Sequence, residues 1–328
     1  MIASDLRSGV ERLGDMIAEA SISTARRSMK HLAIKAGLEI VALTGADRFA
    51  TSAAGRGVIF TLHHVRPERH FAFEPNGHLS VTPDFLDEAL VAAREAGLHP
   101  VRLEELPALL SDPTDERKLF CVTLDDGYRD NLTLAAPVLQ RWGVPATFFV
   151  ATDFLDGGAM WNDTLIDAIA SAPDGTLDLT DAGLPRFELT DIVSRQSCLK
   201  TLLPAVKHLD PGRRADVVAL TGERCRLAAA PQLMLTTGQV KALQGKGMDI
   251  GAHTCSHPIL TRQDDATARR ELADGRDRLV AITGSAPRLF AYPNGKPGED
   301  YDARHVVMAR ELGFAAAVCT AWGAARGG

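Results

Sequence analysis

"LFCVTLDDGYRDN", residues 119–131, joins an apolar run to two adjacent carboxylates, Asp125 and Asp126, followed at once by Gly127. Residues 119–124 read as a buried strand. Two like charges side by side at its end repel, and packing alone gives no reason to put them there. Such a pair calls for a cation, a special protonation arrangement or plain solvent.

Similar runs recur along the chain: "VIFTLHHV" (58–65), a weak candidate near 99–103, "ATFFVA" (146–151), "MDIGAH" (248–253), "RLFAYP" (288–293) and "AAAVCTAW" (315–322). Helical patterns lie between several of them, near 130–141 and around 264–283. In "TPDFLDEALVAAREAG", Thr82 suits an N-cap, Pro83 the first turn and Gly97 the stop. Short apolar strands alternating with helices indicate parallel β/α units. With seven strand candidates, this α/β pattern fits a barrel-like fold better than a two-domain doubly wound one. Residues 156–235 break the alternation with mixed helical and loop signals, and read as a helical insertion between two barrel strands. Residues 1–56 read as an N-terminal helical extension, and 57–328 as the barrel.

The composition sets bounds. Of 328 residues 45% are hydrophobic and 24% charged, as in ordinary globular proteins. A formal net charge of −6 gives no support to nucleic-acid binding. Five cysteines (121, 198, 225, 255, 319) are scattered without CxxC spacing, which argues against a disulfide framework or cysteine zinc site and for a reducing compartment. The N-terminus carries Asp5, Glu11 and Asp15 early, unlike a secretory signal. "HLAIKAGLEIVAL" is interrupted by Lys35 and Glu39 and is too short to span a bilayer. With Arg26, Arg27 and Lys30 nearby, the N-terminal helices read either as a peripheral membrane contact or as packing against the domain. The expected location is cytoplasmic.

In a β/α barrel the C-terminal ends of the strands converge on one face. There the sequence places His63 and His64, Asp125 and Asp126, His253 to His257, and Tyr292, Pro293 and Asn294. A His253-x-x-x-His257 spacing lets both imidazoles meet one cation, and two histidines plus one carboxylate form a frequent catalytic zinc set. One aspartate of the pair would then bind the ion. The other would stay free to take a proton from water that the ion acidifies. The plainer alternative is that Asp125 and Asp126 cap the helix near Asp130 or face solvent. Arg288, entering a strand, would ordinarily be exposed; its other use is as a bidentate partner of a buried carboxylate.

This constellation resembles the polysaccharide deacetylase family, carbohydrate esterase family 4, which contains chitooligosaccharide deacetylase (nodulation protein B). Thr123-Leu124-Asp125-Asp126 is similar to the family's Thr-Phe-Asp-Asp motif, with Leu for Phe. His253-Thr254-Cys255-Ser256-His257 is similar to its His-(Ser/Thr)-x-x-His motif. Arg288 through Tyr292-Pro293 resembles its arginine and aromatic-Pro turn. "LHHV" resembles an early "YHRV"-like strand, with His63 on the family's histidine, and "MWNDTL" a segment whose tryptophan, here Trp161, lines the cleft. The likeness spans roughly 57–322 with the motifs in family order. It implies a distorted (β/α)7 barrel. It also implies Asp125 as base, Asp126, His253 and His257 as metal ligands, Arg288 orienting Asp125, and the Tyr292 N–H helping to hold the oxyanion. Trp161, Pro293 and Asn294 would meet substrate. The cofactor is a divalent ion, Zn2+ first, with Co2+ or Mn2+ suiting the same set.

The family's last motif supplies a Leu-x-His whose histidine is the general acid. "AAAVCTAWGAARGG" has no histidine after His305. Another donor, reduced activity or a truncated chain would each account for this. His63 or His64 is the candidate substitute, against a structural or sugar-binding role. The expected activity is hydrolysis of a non-peptide carbon–nitrogen bond, removing N-acetyl groups from N-acetylglucosamine-containing oligo- or polysaccharides. The alternatives are a hydrolase of another acylated sugar or small amide, and a saccharide-binding homologue without turnover.

Overall fold

The computed structural model describes residues 55–67, 73–321, 323 and 325. The expected N-terminal helical extension and its membrane contact lie outside the described residues.

Seven parallel strands form the central sheet: β1 (Gly57–Leu62), β4 (Leu98–Pro100), β5 (Lys118–Leu124), β6 (Ala146–Val150), β9 (Asp249–Ala252), β10 (Leu289–Ala291) and β11 (Ala316–Val318). Their order is β1-β5-β6-β9-β10-β11. β1 pairs along β5 from Gly57↔Leu119 to Leu62↔Leu124. The opposite edge of β5 is shared by β4 at residues 118–120 and by β6 at 122–124. Beyond β11 the chain returns to β1 through an antiparallel bridge, Gly57↔Ala325. The result is a curled, distorted (β/α) barrel. The short strands β2 (His64–Val65) and β3 (Ser80–Val81) pair beside it.

Parity along the strands divides the core. Phe120, Val122 and Leu124 of β5, Phe148 and Val150 of β6, and Phe290 of β10 face outward. They meet helices α1 (Pro83–Glu95), α3 (Ala136–Trp142), α7 (Thr237–Gly245), α8 (Asp265–Thr283) and α9 (Ala303–Glu311). Leu119, Cys121, Phe149, Leu289 and Ala291 form the inner cluster, closed below by Leu106 of α2 (Leu106–Ser111). Both faces are buried, so β5 reads as an unbroken apolar run. Gly251 is required where it stands: a Cβ there would lie 2.4 Å from the Phe149 ring. Helix α1 begins as its sequence indicates, the Thr82 hydroxyl accepting the Phe85 N–H at 3.0 Å, with Gly97 at φ +74° beyond its end.

Between β6 and β9 the chain builds α4 (Trp161–Ser171), α5 (Ile192–Lys207) and α6 (Pro211–Arg224), with their own core around Leu165, Leu199 and Leu202. This segment also contains an antiparallel hairpin, β7 (Gly175–Asp178) with β8 (Arg186–Leu189). Each strand has four residues and both are partly exposed, so no long apolar alternation announces them.

Candidate active site

The inward parity of β1, β5 and β9 continues past their last residues to His63, Asp125 and His253. Register carries these side chains to one mouth: Leu62 pairs with Leu124, and the Asp125 N–H then donates to the Leu62 carbonyl at 2.9 Å. Asp126 has the opposite parity, but its φ of +73° breaks the strand alternation and turns its carboxylate back toward the mouth.

There Asp126 Oδ1 stands 3.5 Å from His253 Nε2 and 3.4 Å from His257 Nε2. The imidazole rings meet edge to face, with centroids 4.9 Å apart. The three ligand-type atoms lie within 4.8 Å of one another. Tetrahedral zinc with bonds of about 2.0–2.1 Å separates its ligands by about 3.4 Å, so these spacings suit co-ligands of one ion. Asp126 Oδ1 is buried without a hydrogen-bond partner, as expected of an atom reserved for a cation. His253 Nδ1 lies 2.8 Å from the Ala291 carbonyl; donating its N–H there leaves the Nε2 lone pair facing Asp126. The residues present fit a divalent ion.

Electrostatics separates the two aspartates. Burial would raise the Asp126 carboxyl, but contact with His253 and the neighbouring imidazoles of His257 and His63 hold it far below the ordinary range. Burial pushes Asp125 up, with Asp126 adding, while His253 and His63 only partly oppose. Its Oδ1 is likewise buried and unpartnered. Burial drives His257 down to about 3, so it stands neutral with a lone pair to give.

The two adjacent histidines take different places. His63 is half-buried, and strand parity turns it inward with Asp125. His64 is buried, with Nδ1 2.7 Å from Asp130 Oδ2 and its ring 3.6 Å from that of Tyr128. The Tyr128 hydroxyl donates to buried Asp163 at 2.9 Å.

Other expected site residues fall elsewhere. Arg288 precedes β10 and so lies at the end of the sheet opposite the strand-end cluster; it is exposed and pairs with Glu104 at 2.5 Å rather than with Asp125. The Tyr292 N–H donates to the Val318 carbonyl at 3.2 Å, because the β10–β11 ladder runs one residue further. That donor is committed and cannot hold an oxyanion. The Tyr292 ring packs on Tyr301 with centroids 3.7 Å apart. Pro293 is buried, and half-buried Asn294 turns at φ +60°. Trp161, half-buried, rests against the insertion core with the Arg214 guanidinium 5.6 Å from its ring centre.

The loop 254–257 is strained, with Thr254 at φ +65° and His257 at φ +53°. A β-branched residue in that region is an outlier. The Thr254 hydroxyl donates to the His253 carbonyl at 2.5 Å and accepts the His257 N–H at 3.1 Å. Gly275 of α8 lets the loop approach, since a Cβ there would sit 2.9 Å from the Thr254 backbone. Glu271 and Arg214 also hold this loop, and neither stood out in the sequence. The signal for Arg214 is a buried arginine in helical step with Val217 and Thr221.

Known proteins resemble this chain in sequence and in fold. The sequence model of the family described as Polysaccharide deacetylase matches residues 214–317. Among solved structures, the Streptococcus pyogenes deacetylase PplD in complex with acetate shares 20% identity at a TM-score of 0.53, over 84% of this chain and 86% of that one. IcaB from Ammonifex degensii shares 18% identity at a TM-score of 0.50, over 80% and 82%. At these identities the likeness is one of fold. No curated protein matches the sequence. Among the described residues, no helix is long and apolar enough to cross a membrane.

Proposed function

We propose that the chain is a member of the polysaccharide deacetylase family whose sequence model it matches over residues 214–317, and that it is a metal-dependent hydrolase removing N-acetyl groups from N-acetylglucosamine-containing oligo- or polysaccharides. One observation carries the reading. A His2Asp set converges at co-ligand spacing, and beside it stands a second buried carboxylate, Asp125, with an unpartnered oxygen.

Asp126, His253 and His257 would hold the ion. Zinc suits these borderline donors, as do cobalt and manganese. When bound, it supplies charge that acidifies water and polarises an acyl oxygen. Asp125 is the base: its buried Oδ1 has no hydrogen-bond partner, which leaves it free to accept a proton beside the ligand set. As water adds to the acyl carbon, Asp125 takes one of its protons. The C–N bond then breaks as the amine nitrogen receives a proton, leaving acetate and a free amine. His63 is the proposed donor for that nitrogen, since strand parity turns it inward with Asp125, whereas His64 is bound to Asp130. Half-buried Asn294 and Trp161 are the proposed saccharide contacts that remain; Arg288 and the Tyr292 N–H have no part. Acetate in the complex of the streptococcal relative is in keeping with an acetyl substrate.

Acetate release should be compared on N-acetylated chitooligosaccharides and on acetylated xylan. Release from the first supports the amide reading. Release confined to the xylan overturns it in favour of O-acetyl sugars.

A further inference from the structure

Arg214 lies on α6, in the insertion, and is only 4% exposed. Its Nη2 donates to the Ser256 carbonyl at 2.6 Å and its Nη1 to the His257 carbonyl at 3.4 Å. These carbonyls belong to the two peptide units that flank the His257 Cα. Holding both planes fixes φ and ψ of His257, and with them the direction of its side chain. That φ is +53°, a region a non-glycine residue leaves unless its surroundings impose it.

Glu271 of α8 acts on the same loop from its N–H side. Its Oε2 accepts the N–H groups of Cys255 at 3.0 Å and Ser256 at 2.9 Å, and its Oε1 the Ser256 hydroxyl at 2.6 Å. The loop's donors thus meet an anion and its acceptors a cation. Among the described residues Arg214 has no carboxylate within salt-bridge distance. A buried guanidinium without one is expensive for stability alone, and its Trp161 neighbour offers only a cation–π face.

We propose that Arg214 is a positioning residue for the metal centre, setting the imidazole of His257 on its ligand direction, so that the insertion completes the site. The proposal rests on the reading of Asp126, His253 and His257 as metal ligands. The rigid guanidinium fork meets the two successive carbonyls with separate nitrogens, whereas lysine keeps the charge but offers one nitrogen on a flexible stem, without that fixed geometry.

The test is Co2+ titration of the chelated full chain, followed by visible absorption. Wild type should bind one ion with the intense bands of a four-coordinate N/O site. Arg214→Lys should keep its fold by circular dichroism, bind Co2+ 10- to 100-fold more weakly, the range typical of groups that orient a ligand, and show altered bands. Arg213→Lys, at an exposed position of the same helix, should match wild type. Arg214→Met, which removes the donors, should weaken binding at least as far. Wild-type affinity and spectrum in either folded Arg214 variant overturn the proposal. A wild type that binds no Co2+ overturns the metal reading itself, and this inference with it.

Discussion

Asp125 and Asp126 are neighbours in the chain, yet burial pushes one carboxyl up while the histidines hold the other far below the usual range. The left-handed backbone at Asp126 makes this division, turning one carboxylate to the imidazoles and leaving the other beside them. On the proposed reading, charge and acceptance of a proton are thereby given to different residues.

The proposed metal site takes Asp126 as its anionic ligand, so Asp126→Ala should purify without stoichiometric zinc. The midpoint of thermal unfolding should then no longer rise on zinc addition, because an ion that binds the folded state stabilises only a competent site. Elemental analysis and a thermal shift would check this. A fully loaded variant would contradict the ligand assignment.

As the proposed base, Asp125 should set the acid limb of the pH–rate profile. The active form is the carboxylate, so kcat/KM should fall at low pH as Asp125 takes up a proton. Asp125→Asn should keep zinc and lose about 10²- to 10⁴-fold in turnover, the range for removal of a general base. A residual profile with the same acid limb would assign that limb elsewhere.

Arg288 pairs with Glu104 at the surface, and both side chains are exposed. Arg288→Ala should leave turnover unchanged and stability within about 1 kcal/mol of wild type, the scale of exposed ion pairs. A large fall in kcat with normal stability would return Arg288 to the chemistry.

Asp163 is a buried carboxyl whose pKa is raised, chiefly by burial with Asp126 adding, against the Tyr128 hydroxyl, His64 and Arg66. The folded state therefore holds its proton more tightly than the unfolded one. Its contribution to stability declines as pH rises from 3.8 through the raised value. Asp163→Asn keeps an acceptor for Tyr128, so denaturant melts should show this decline reduced and neutral-pH stability equal to or above wild type. Tyr128→Phe, which leaves the carboxylate unpaired, should cost about 1–3 kcal/mol.

Much of this was legible in the chain. The central strands are apolar on both faces, so their runs stand out, and strand-end residues share one mouth by topology. Asp125, Asp126, His253 and His257 follow from that rule. Arg288 shows its limit: it starts a strand rather than ending one, and the sheet sends it to the opposite end. The commitment of the Tyr292 N–H depends on where the ladder with β11 stops, which residue types do not encode. His63 and His64 are identical residues with opposite fates, decided by alternation and by Asp130, 66 residues on from His64. Arg214 meets its loop 42 residues later, a contact made by the insertion's fold rather than by any local motif.

The most direct test of the account is acetate release from an N-acetylated chitooligosaccharide by chelated and zinc-reloaded protein, with Asp125→Asn run in parallel. The account predicts no release after chelation, recovery on adding zinc, and no recovery in the variant despite one bound zinc. Undiminished release by the chelated protein, or wild-type turnover by the loaded variant, would contradict it.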